Sequence, residues 1–369
     1  MLKIGLDARN LLPKQTGIGR SVYNLITNIA GLDDENEYVI IKRTSYKSKI
    51  VDKNNFKEIS IPYDPSSLRS CIFGFRQINE LNLDVYHSFF HFLPGNIRAG
   101  KIIVTLHDLM WIEFPKLVFN DFFRQKVVEY YGKIFIKKAL EQSDYIVAIS
   151  EYTKQNALKR YNLSEENIGV IYHGIDFAHF DAHASGKIPE EFKNRKYIIS
   201  IGHSRPYKNV PRVIQAFKLI SDEFPHISLL IVGRGDYETI LRKLVNELNL
   251  QERVIFLGHL PDEKMIPLFK NAEFLAFPSL IEGFGLPLIE AMALGCPILS
   301  SNIPVIEEIG GDVYEKVNPK SVDDIARSMS KLLSSKEHRE ILRNKGYERA
   351  KIFSWEESAK KLISLYAKS

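Results

Sequence analysis

The chain has little cysteine and no long apolar run. Its 369 residues include only two cysteines, Cys71 and Cys296, which lie far apart and lack metal-ligand spacing. We therefore expect no disulfide framework and a reducing compartment, with both thiols acting as small buried apolar residues. No run approaches the roughly 18 apolar residues of a membrane-spanning helix, and the N-terminus lacks the apolar core of a signal peptide. These absences predict a cytoplasmic protein.

The overall composition is that of an ordinary globular protein. Hydrophobic residues make up 45% and charged residues 26% of the chain, and the formal net charge is +5. This mild positive charge suits a nucleotide ligand or an anionic membrane surface but requires neither. The length exceeds one ordinary hydrophobic core and predicts two domains.

Short apolar runs alternate with longer amphipathic segments along the chain, which predicts parallel βα units. The predicted strands are Lys3–Asp7, Tyr38–Lys42, Val85–Ser88, Ile102–Leu106, Tyr145–Ile149, Ile168–Ile171, Tyr197–Ile201, Leu229–Val232, Val254–Phe256, Phe274–Phe277 and Pro297–Ser300. The predicted helices are Gly19–Ala30, Phe122–Glu141, Glu151–Tyr161, Asn209–Ser221, Tyr237–Leu248, Glu263–Asn271, Pro287–Leu294, Ser321–Leu333 and Lys336–Lys351. The fold class is therefore α/β, with two Rossmann-like, doubly wound parallel-sheet domains.

Turn formers without a sustained period place the link between the domains near residues 175–195. We expect an N-terminal domain at 1–180 and a C-terminal domain at 190–352. Open parallel sheets bind ligands at the carboxyl ends of their strands, so two such sheets are expected to face each other across a cleft.

The most informative segment places two carboxylates, Glu282 and Glu290, on either side of a Gly-Phe-Gly-Leu-Pro turn. Pro287 is expected to be the first residue of a helix, and Gly283 and Gly285 let the backbone approach a ligand closely. A helix N-terminus is an anion site, whereas neighbouring carboxylates are better explained as acceptors for hydroxyl groups. Phosphate plus several hydroxyls describes a nucleotide-sugar. The alternative is two ordinary charges near a surface helix.

A basic loop follows the first strand of the second domain. Arg205 and Lys208 lie three residues apart before a helix. Arginine grips phosphate with two donors and lysine adds a compact charge, so together they would neutralise a diphosphate. The alternative is a solvated basic turn.

Two strand ends of the first domain also carry candidate residues. In the loop Asn10–Arg20, Gly17 and Gly19 precede a helix and are expected to cradle a phosphate or to admit an acceptor. His107 could donate a hydrogen bond to a sugar hydroxyl or stabilise charge, with Asp108 orienting it or contacting the acceptor. A flexible turn and a satisfied loop histidine are the respective alternatives.

Four further residues give weaker signals. His87 and His91 are expected to pack at the wall of the cleft. The backbone around Gly233 and Leu260, which follows two strands of the second domain, could hold a nucleobase. The favoured alternative for these last two is a tight βα turn, which is common in any doubly wound sheet.

Taken together, these motifs resemble the retaining glycosyltransferases of family GT4, which have the GT-B fold. The resemblance rests on four motifs: the Glu-x7-Glu motif of Glu282 and Glu290, Arg205 with Lys208, Gly17-Ile-Gly19, and Leu106-His107-Asp108. Their order matches over essentially the whole chain; the Glu-x7-Glu block is specific and the other motifs are supportive. The basic loop departs from many relatives because it lacks glycine before the arginine and after the lysine. In this fold a last helix, here 353–369, crosses back to the N-terminal domain.

The resemblance implies roles for the residues of the second domain. Glu290 would accept hydrogen bonds from the donor ribose. Glu282, with the amides of Gly283, Phe284 and Gly285, would hold the donor hexose.

The resemblance also implies how the leaving group is held. Arg205 and Lys208 would neutralise the diphosphate, helped by Gly17 and Gly19. His107 would lie beside the donor sugar near the reacting carbon.

Family members usually need no metal, which agrees with the absence of an Asp-x-Asp metal motif. The closest pattern within the family is that of bacterial mannosyltransferases that build O-antigen, capsule or exopolysaccharide. The expected donor is therefore GDP-mannose, with dTDP-rhamnose or a UDP-sugar as alternatives. The expected acceptor is a saccharide or an undecaprenyl-linked oligosaccharide, and no nucleic acid is expected.

A membrane surface is a further expected partner. The segment 122–138 mixes aromatic residues with lysine and arginine, and as a helix it could lie on an anionic bilayer. This would place the protein at the inner face of the plasma membrane. The alternative is an amphipathic helix whose apolar face packs on the N-terminal sheet.

Three other functions compete with sugar transfer. A nucleotide-sugar epimerase or hydrolase would consume donor without an acceptor, and a nucleotide-sugar-binding regulator would turn nothing over. An NAD-dependent oxidoreductase is disfavoured because the glycine fingerprint after the first strand is incomplete.

Overall fold

The structure, a computed structural model, describes residues 1–12, 17–118, 122–184, 186, 188–202, 205–235 and 237–368. It divides into two compact units. The first comprises Met1–Glu113, Val127–Gly174 and Ser354–Ser369, and the second comprises Phe114–Lys126 and Ile175–Phe353. Residues 114–126 therefore group with the second unit, and the main boundary lies at Gly174.

The first unit is built on a seven-stranded parallel sheet of order β3-β2-β1-β4-β5-β6-β7. Its strands are β1 (Lys3–Asp7), β2 (Glu37–Arg43), β3 (Phe56–Ile61), β4 (Val85–Ser88), β5 (Lys101–Leu106), β6 (Tyr145–Ala148) and β7 (Ile168–Val170). The chain winds outwards from β1 to one edge and then restarts at β4 on the other side. The strand order therefore reverses between β1 and β4.

The second unit is built on a six-stranded parallel sheet of order β10-β9-β8-β11-β12-β13. Its strands are β8 (Lys196–Ile201), β9 (Ile227–Val232), β10 (Val254–Gly258), β11 (Phe274–Phe277), β12 (Ile298–Ser301) and β13 (Glu315–Val317). Strands β9, β11 and β12 are buried along their whole length, as expected where helices cover both faces of a parallel sheet. The strand order reverses between β8 and β11.

Helices connect these strands. They are α1 (Gly17–Leu32), α2 (Leu68–Phe73), α3 (Phe75–Asn79), α4 (Met110–Glu113), α5 (Pro115–Val118), α6 (Phe122–Gln142), α7 (Glu151–Arg160), α8 (Phe177–Ala184), α9 (Val210–Ile220), α10 (Glu238–Glu247), α11 (Asp262–Asn271), α12 (Leu286–Ala293), α13 (Pro304–Gly310), α14 (Val322–Ser334), α15 (Lys336–Ala350) and α16 (Trp355–Ala367). Among the described residues, no helix is both long enough and apolar enough to cross a membrane.

Serine caps fix where several helices begin. Ser150, Ser321, Ser335 and Ser354 directly precede α7, α14, α15 and α16, and each side chain accepts a hydrogen bond from the backbone N–H three residues later. A cap of this kind contributes about 1 kcal/mol, because it satisfies a donor that the helix itself leaves unpaired.

The last helix, α16, packs in the first unit. Ser358 Oγ donates to the carbonyl of Tyr172 at 2.7 Å, and Tyr366 Oη lies 2.7 Å from His87 Nδ1. Both contacts are buried or half-buried, and α16 also packs along α1. The C-terminus thus completes the core of the unit that the N-terminus begins.

The structure corrects several sequence-based expectations. The segment 177–184, predicted as part of an aperiodic link, is helix α8, which Asp176 begins by accepting from the His179 N–H at 2.9 Å. Phe180 of that helix is buried. Strand β3 was missed because it lies at the sheet edge and alternates polar with apolar residues. The short elements α2 to α5 and β13 were also missed, since they are too brief for a periodic pattern.

Candidate active site

The reversal of strand order between β8 and β11 creates a natural ligand site at the carboxyl ends of these strands. Hydrogen bonds hold the two following loops together. The Leu280 N–H donates to the carbonyl of Tyr207 at 2.8 Å, and Asn209 Nδ2 donates to the carbonyls of Pro278 and Pro319 at 2.9 and 2.7 Å. The loop with the predicted basic residues and the loop with the first glutamate therefore form one assembly.

The central feature of this assembly is an ion pair between Lys208 and Glu282. Lys208 Nζ lies 2.6 Å from Glu282 Oε1, and both side chains are largely buried. Burial alone lowers the pKa of Lys208, but the charge of Glu282 outweighs it and raises the pKa above its ordinary value. Lys208 also lies over the ring of Phe277, 4.7 Å from its centroid. The lysine is thus a fixed, buried positive charge.

The backbone at Gly202 leaves room for this lysine. Gly202 has φ of 90°, and a Cβ there would lie 2.9 Å from Lys208 Cγ. Asn209 adopts a left-handed conformation with φ of 62° and begins α9. Any larger residue at Gly202 would displace the lysine stem as well as strain the backbone.

The second glutamate lies on α12, the helix that follows the glycine-rich turn. Gly285 precedes this helix with φ of 96°, and the helix begins at Leu286. We predicted Pro287 as the first residue of this helix, and the structure places it second. Glu290 lies one turn further on and is 9% exposed, while Phe284 is buried against Phe353 with ring centroids 5.8 Å apart. The amides of the turn, rather than the Phe284 side chain, remain candidates for ligand contact.

Arg205 differs from Lys208 although both lie in the same loop. Its side chain is exposed, and its Nη1 donates to the carbonyl of Val118 at 3.4 Å. His203 and Ser204, also part of this loop motif, lie outside the described residues. The structure thus brings Lys208 and Glu282 into contact and leaves Arg205 at the surface.

The proposed nucleobase segments lie beside each other at the ends of β9 and β10. The Gly233 N–H donates to the carbonyl of Gly258 at 2.8 Å, which joins the two loops. The Gly233 amide is consequently occupied by the protein itself. Leu260 is half-buried two residues beyond Gly258.

In the first unit, Gly17 and Gly19 both lie within the first turn of α1, because the helix begins at Gly17, two residues before the predicted start at Gly19. Gly17 is exposed and Gly19 is buried. A first turn presents the positive end of the helix dipole, so the anion-binding hypothesis keeps its physical basis. The loop residues 13–16, which precede this turn, lie outside the described residues.

His107 directly follows β5 and is buried. Its Nε2 lies 3.0 Å from the carbonyl of Phe89, and because a carbonyl only accepts, Nε2 carries the proton. Burial lowers the pKa of His107 to about 4, so the ring is neutral at pH 7. In this tautomer Nδ1 is the acceptor of the ring, and the role expected for His107 beside the donor sugar stays a prediction. Asp108 is half-buried and accepts from the Met110 N–H at 2.9 Å.

Sequence reasoning missed two buried groups in the first unit. His173 lies beside His107, with ring centroids 5.6 Å apart; the Tyr-His-Gly after β7 was an available signal. Arg9 is fully buried and paired with Asp7 at 2.6 Å, and Tyr86 also donates to Asp7. This network lies where the strand order reverses between β1 and β4, and no local pattern reveals it because β4 is distant in sequence.

His87 and His91 are both buried, as their predicted packing role requires, yet their surroundings differ. His87 contacts Tyr366 Oη at 2.7 Å and Thr105 Oγ1 at 2.8 Å. His91 stacks on Phe90 with ring centroids 4.1 Å apart, but neither of its nitrogens has a hydrogen-bond partner among the described residues.

This contrast predicts opposite responses to the same substitution. His87→Phe should lower the free energy of unfolding by about 2–5 kcal/mol, because it leaves two buried hydroxyls unpaired. His91→Phe removes two unpaired nitrogens and should change stability by less than about 1 kcal/mol, or raise it. Urea denaturation at pH 7.5 measures both. Equal destabilisation by the two substitutions would contradict the assigned hydrogen bonding.

Two family models match the chain. Glycosyltransferase Family 4 matches residues 16–179, and Glycosyl transferases group 1 matches residues 183–349. Among solved structures, WaaG, a glycosyltransferase involved in lipopolysaccharide biosynthesis, superposes with a TM-score of 0.79 and 15% identity over 99% of this chain and 100% of that chain. The two doubly wound sheets are those of a GT-B glycosyltransferase, which confirms the predicted fold.

Two relatives that are similar in sequence are named as mannosyltransferases. O-antigen chain mannosyltransferase RfbU of Salmonella typhimurium is 32% identical over 218 residues, which are 58% of this chain and 56% of that protein. O-antigen chain mannosyltransferase B of Escherichia coli is 27% identical over 288 residues, 76% of this chain and 74% of that protein. The match thus spans little more than half of RfbU. The chain belongs to the group 1 glycosyltransferases of family GT4, and the resemblance inferred from the motifs is confirmed.

Proposed function

We propose that the chain is a retaining hexosyltransferase that transfers mannose from GDP-mannose to a saccharide or lipid-linked saccharide of a surface polysaccharide. The observation that carries this proposal is the buried Lys208–Glu282 pair at the strand-order reversal of the second sheet. Two relatives named as O-antigen mannosyltransferases support mannose as the sugar.

The ion pair suits a diphosphate donor with a polyhydroxyl sugar. A buried ammonium held in place before the reaction stabilises developing negative charge without reorganisation. When the donor binds, its diphosphate competes with Glu282 for Lys208 Nζ. The freed carboxylate then accepts hydrogen bonds from hexose hydroxyls. Glu282 thus serves as a sugar contact rather than a covalent nucleophile.

The proposed reaction breaks the bond between the hexose anomeric carbon and the diphosphate oxygen. A bond to the acceptor hydroxyl oxygen forms on the same face of the sugar. The acceptor proton passes to the leaving diphosphate, whose negative charge Lys208 stabilises, with Arg205 as a second proposed contact. The roles given above to Gly17, Gly19 and His107 stay predictions.

Glu290 provides a direct test of donor binding. Glu290→Gln removes the charge from the proposed ribose acceptor, and a hydrogen bond to a charged group contributes about 1.5–3 kcal/mol. The Kd for GDP-mannose should therefore rise about 10- to 100-fold in isothermal titration calorimetry. Glu307→Gln, at an exposed position on α13, is the matched control and should bind as the unsubstituted protein does. Unchanged affinity in Glu290→Gln would refute the ribose role.

A further inference from the structure

Helix α6 carries apolar residues on its solvent side as well as on its buried side. Ile136 and Leu140 face the core, as one sequence-based alternative expected. Val127, Tyr130 and Ile134 are spaced at i, i+3 and i+7 and lie on the opposite face, each at least 43% exposed. Packing on the sheet therefore explains the apolar residues on the buried face of α6 but not those on its exposed face.

A second group of exposed apolar residues lies on α2. Leu68, Ile72 and Phe73 are 57%, 55% and 45% exposed. The two helices are neighbours, because Tyr131 Oη of α6 donates to the carbonyl of Ser66 at 2.7 Å and lies 3.6 Å from Cys71 Sγ of α2.

We name the combined area the α2–α6 surface, and it consists of Leu68, Ile72, Phe73, Val127, Tyr130 and Ile134. Contiguous exposed apolar areas on a folded domain mark interaction sites.

The charges around this surface are mainly positive. On α6, Lys133 pairs with Glu129 at 2.6 Å and Lys137 pairs with Glu141 at 3.7 Å. Both acidic residues of the helix beyond its first turn are therefore paired with lysines of the same helix. Further cations surround the surface without a carboxylate partner in the part of the chain that the structure describes: Arg69, Arg76 and Lys138. Arg76 lies over the ring of Phe73, 5.9 Å from its centroid.

We propose that the α2–α6 surface binds an anionic lipid bilayer. Aromatic and aliphatic side chains enter the headgroup region, while arginine and lysine contact lipid phosphates from the rim. A second copy of the chain fits less well, because a twofold contact of this surface with itself sets cations against cations. The inference does not depend on the proposed sugar transfer, since it concerns a surface that needs no donor.

Co-sedimentation with vesicles tests the proposal on the full chain without any donor. Vesicles with 30 mol% phosphatidylglycerol should bind the protein at low salt, and vesicles of phosphatidylcholine alone should not. The variant Arg69→Gln/Arg76→Gln/Lys138→Gln should bind about 100-fold more weakly, since each basic residue near an anionic surface contributes about a 5-fold factor.

Substitution of the exposed apolar residues tests their contribution to vesicle binding. Ile72→Ser/Tyr130→Ser/Ile134→Ser should weaken binding to anionic vesicles at least about 10-fold, since it removes most of the apolar contact. The control Leu219→Ser/Ile240→Ser/Ile341→Ser changes equally exposed apolar residues of the second unit and should bind as the unsubstituted protein. All these positions are exposed, so circular dichroism should show unchanged folding.

Two outcomes would overturn the proposal. One is binding that does not differ between anionic and neutral vesicles or between the variants and their control. The other is a concentration-dependent dimer, abolished by the apolar variant, with no vesicle binding, which would assign the surface to a second copy. GDP-mannose affinity should be equal in all these variants. Absence of vesicle binding would therefore not contradict the proposed sugar transfer, and absence of sugar transfer would not contradict vesicle binding.

Discussion

Replacing Lys208 with alanine is expected to lower the rate of hexosyl transfer about 100- to 1000-fold at saturating donor, because a single buried charge-stabilising contact is lost. Lys208 Nζ contacts Glu282 Oε1 at 2.6 Å, and its pKa lies above the ordinary value. It is therefore charged throughout the pH range of an assay. The measurement is the initial rate of GDP release together with sugar incorporation into acceptor.

Controls separate catalysis from folding. Lys208→Ala leaves the buried Glu282 carboxylate unpaired, which costs about 3–5 kcal/mol of stability. The double variant Lys208→Met/Glu282→Gln removes both charges and should regain stability but not turnover. Lys243→Ala, at an exposed position of α10, should transfer sugar at the normal rate. Undiminished turnover in Lys208→Ala would count decisively against its role, and donor consumption without acceptor product would favour a hydrolase or epimerase.

Mild acid is expected to destabilise the first unit strongly. Burial lowers the pKa of His87 and His91 to about 3 and that of His107 to about 4, and it moves the pKa of His173 well below its usual range. Each ring is neutral when folded but takes up a proton in the unfolded chain below about pH 6.5. The unfolded state therefore binds more protons, and stability falls as the pH drops from about 6.5 towards 4.

The expected size of this effect is large. Four histidines together remove about 5 kcal/mol between pH 6 and pH 5, which is comparable with the whole stability of many domains. Both tryptophans, Trp111 and Trp355, lie in the first unit, so fluorescence during urea denaturation reports on it selectively. His91→Phe should reduce the pH slope by about a quarter. A urea midpoint that stays constant from pH 7.5 to 5.5 would contradict neutral burial of these rings.

Local sequence was sufficient for most of the fold. Apolar runs placed most strands within a residue or two, because strands buried on both faces leave a continuous apolar signal. The two glutamates stood out because a glycine-rich turn before a helix has few purely structural uses. Elements without such a signal, including the edge strand β3, could not be predicted from pattern alone.

Contacts between residues distant in sequence account for the features that could not be predicted. Lys208 and Glu282 are 74 residues apart, and only the adjacency of β8 and β11 brings them together. The ring nitrogen of His107 that carries the proton is set by its contact with the carbonyl of Phe89, which no motif reveals. For α6 the sequence left both packing on the sheet and contact with a membrane open, because its apolar residues surround the helix and periodicity does not separate the buried side from the exposed side.

The most direct test of the proposed function is a thermal-shift panel of GDP-mannose, UDP-glucose, UDP-N-acetylglucosamine and dTDP-rhamnose with the full chain. A ligand at 100 times its Kd stabilises the folded state by about 2.7 kcal/mol, which is readily visible as a rise in Tm. We expect GDP-mannose to give the largest rise and Glu290→Gln to reduce it. A larger rise with another nucleotide-sugar would contradict mannose as the sugar, and no rise with any of the four would contradict nucleotide-sugar binding itself.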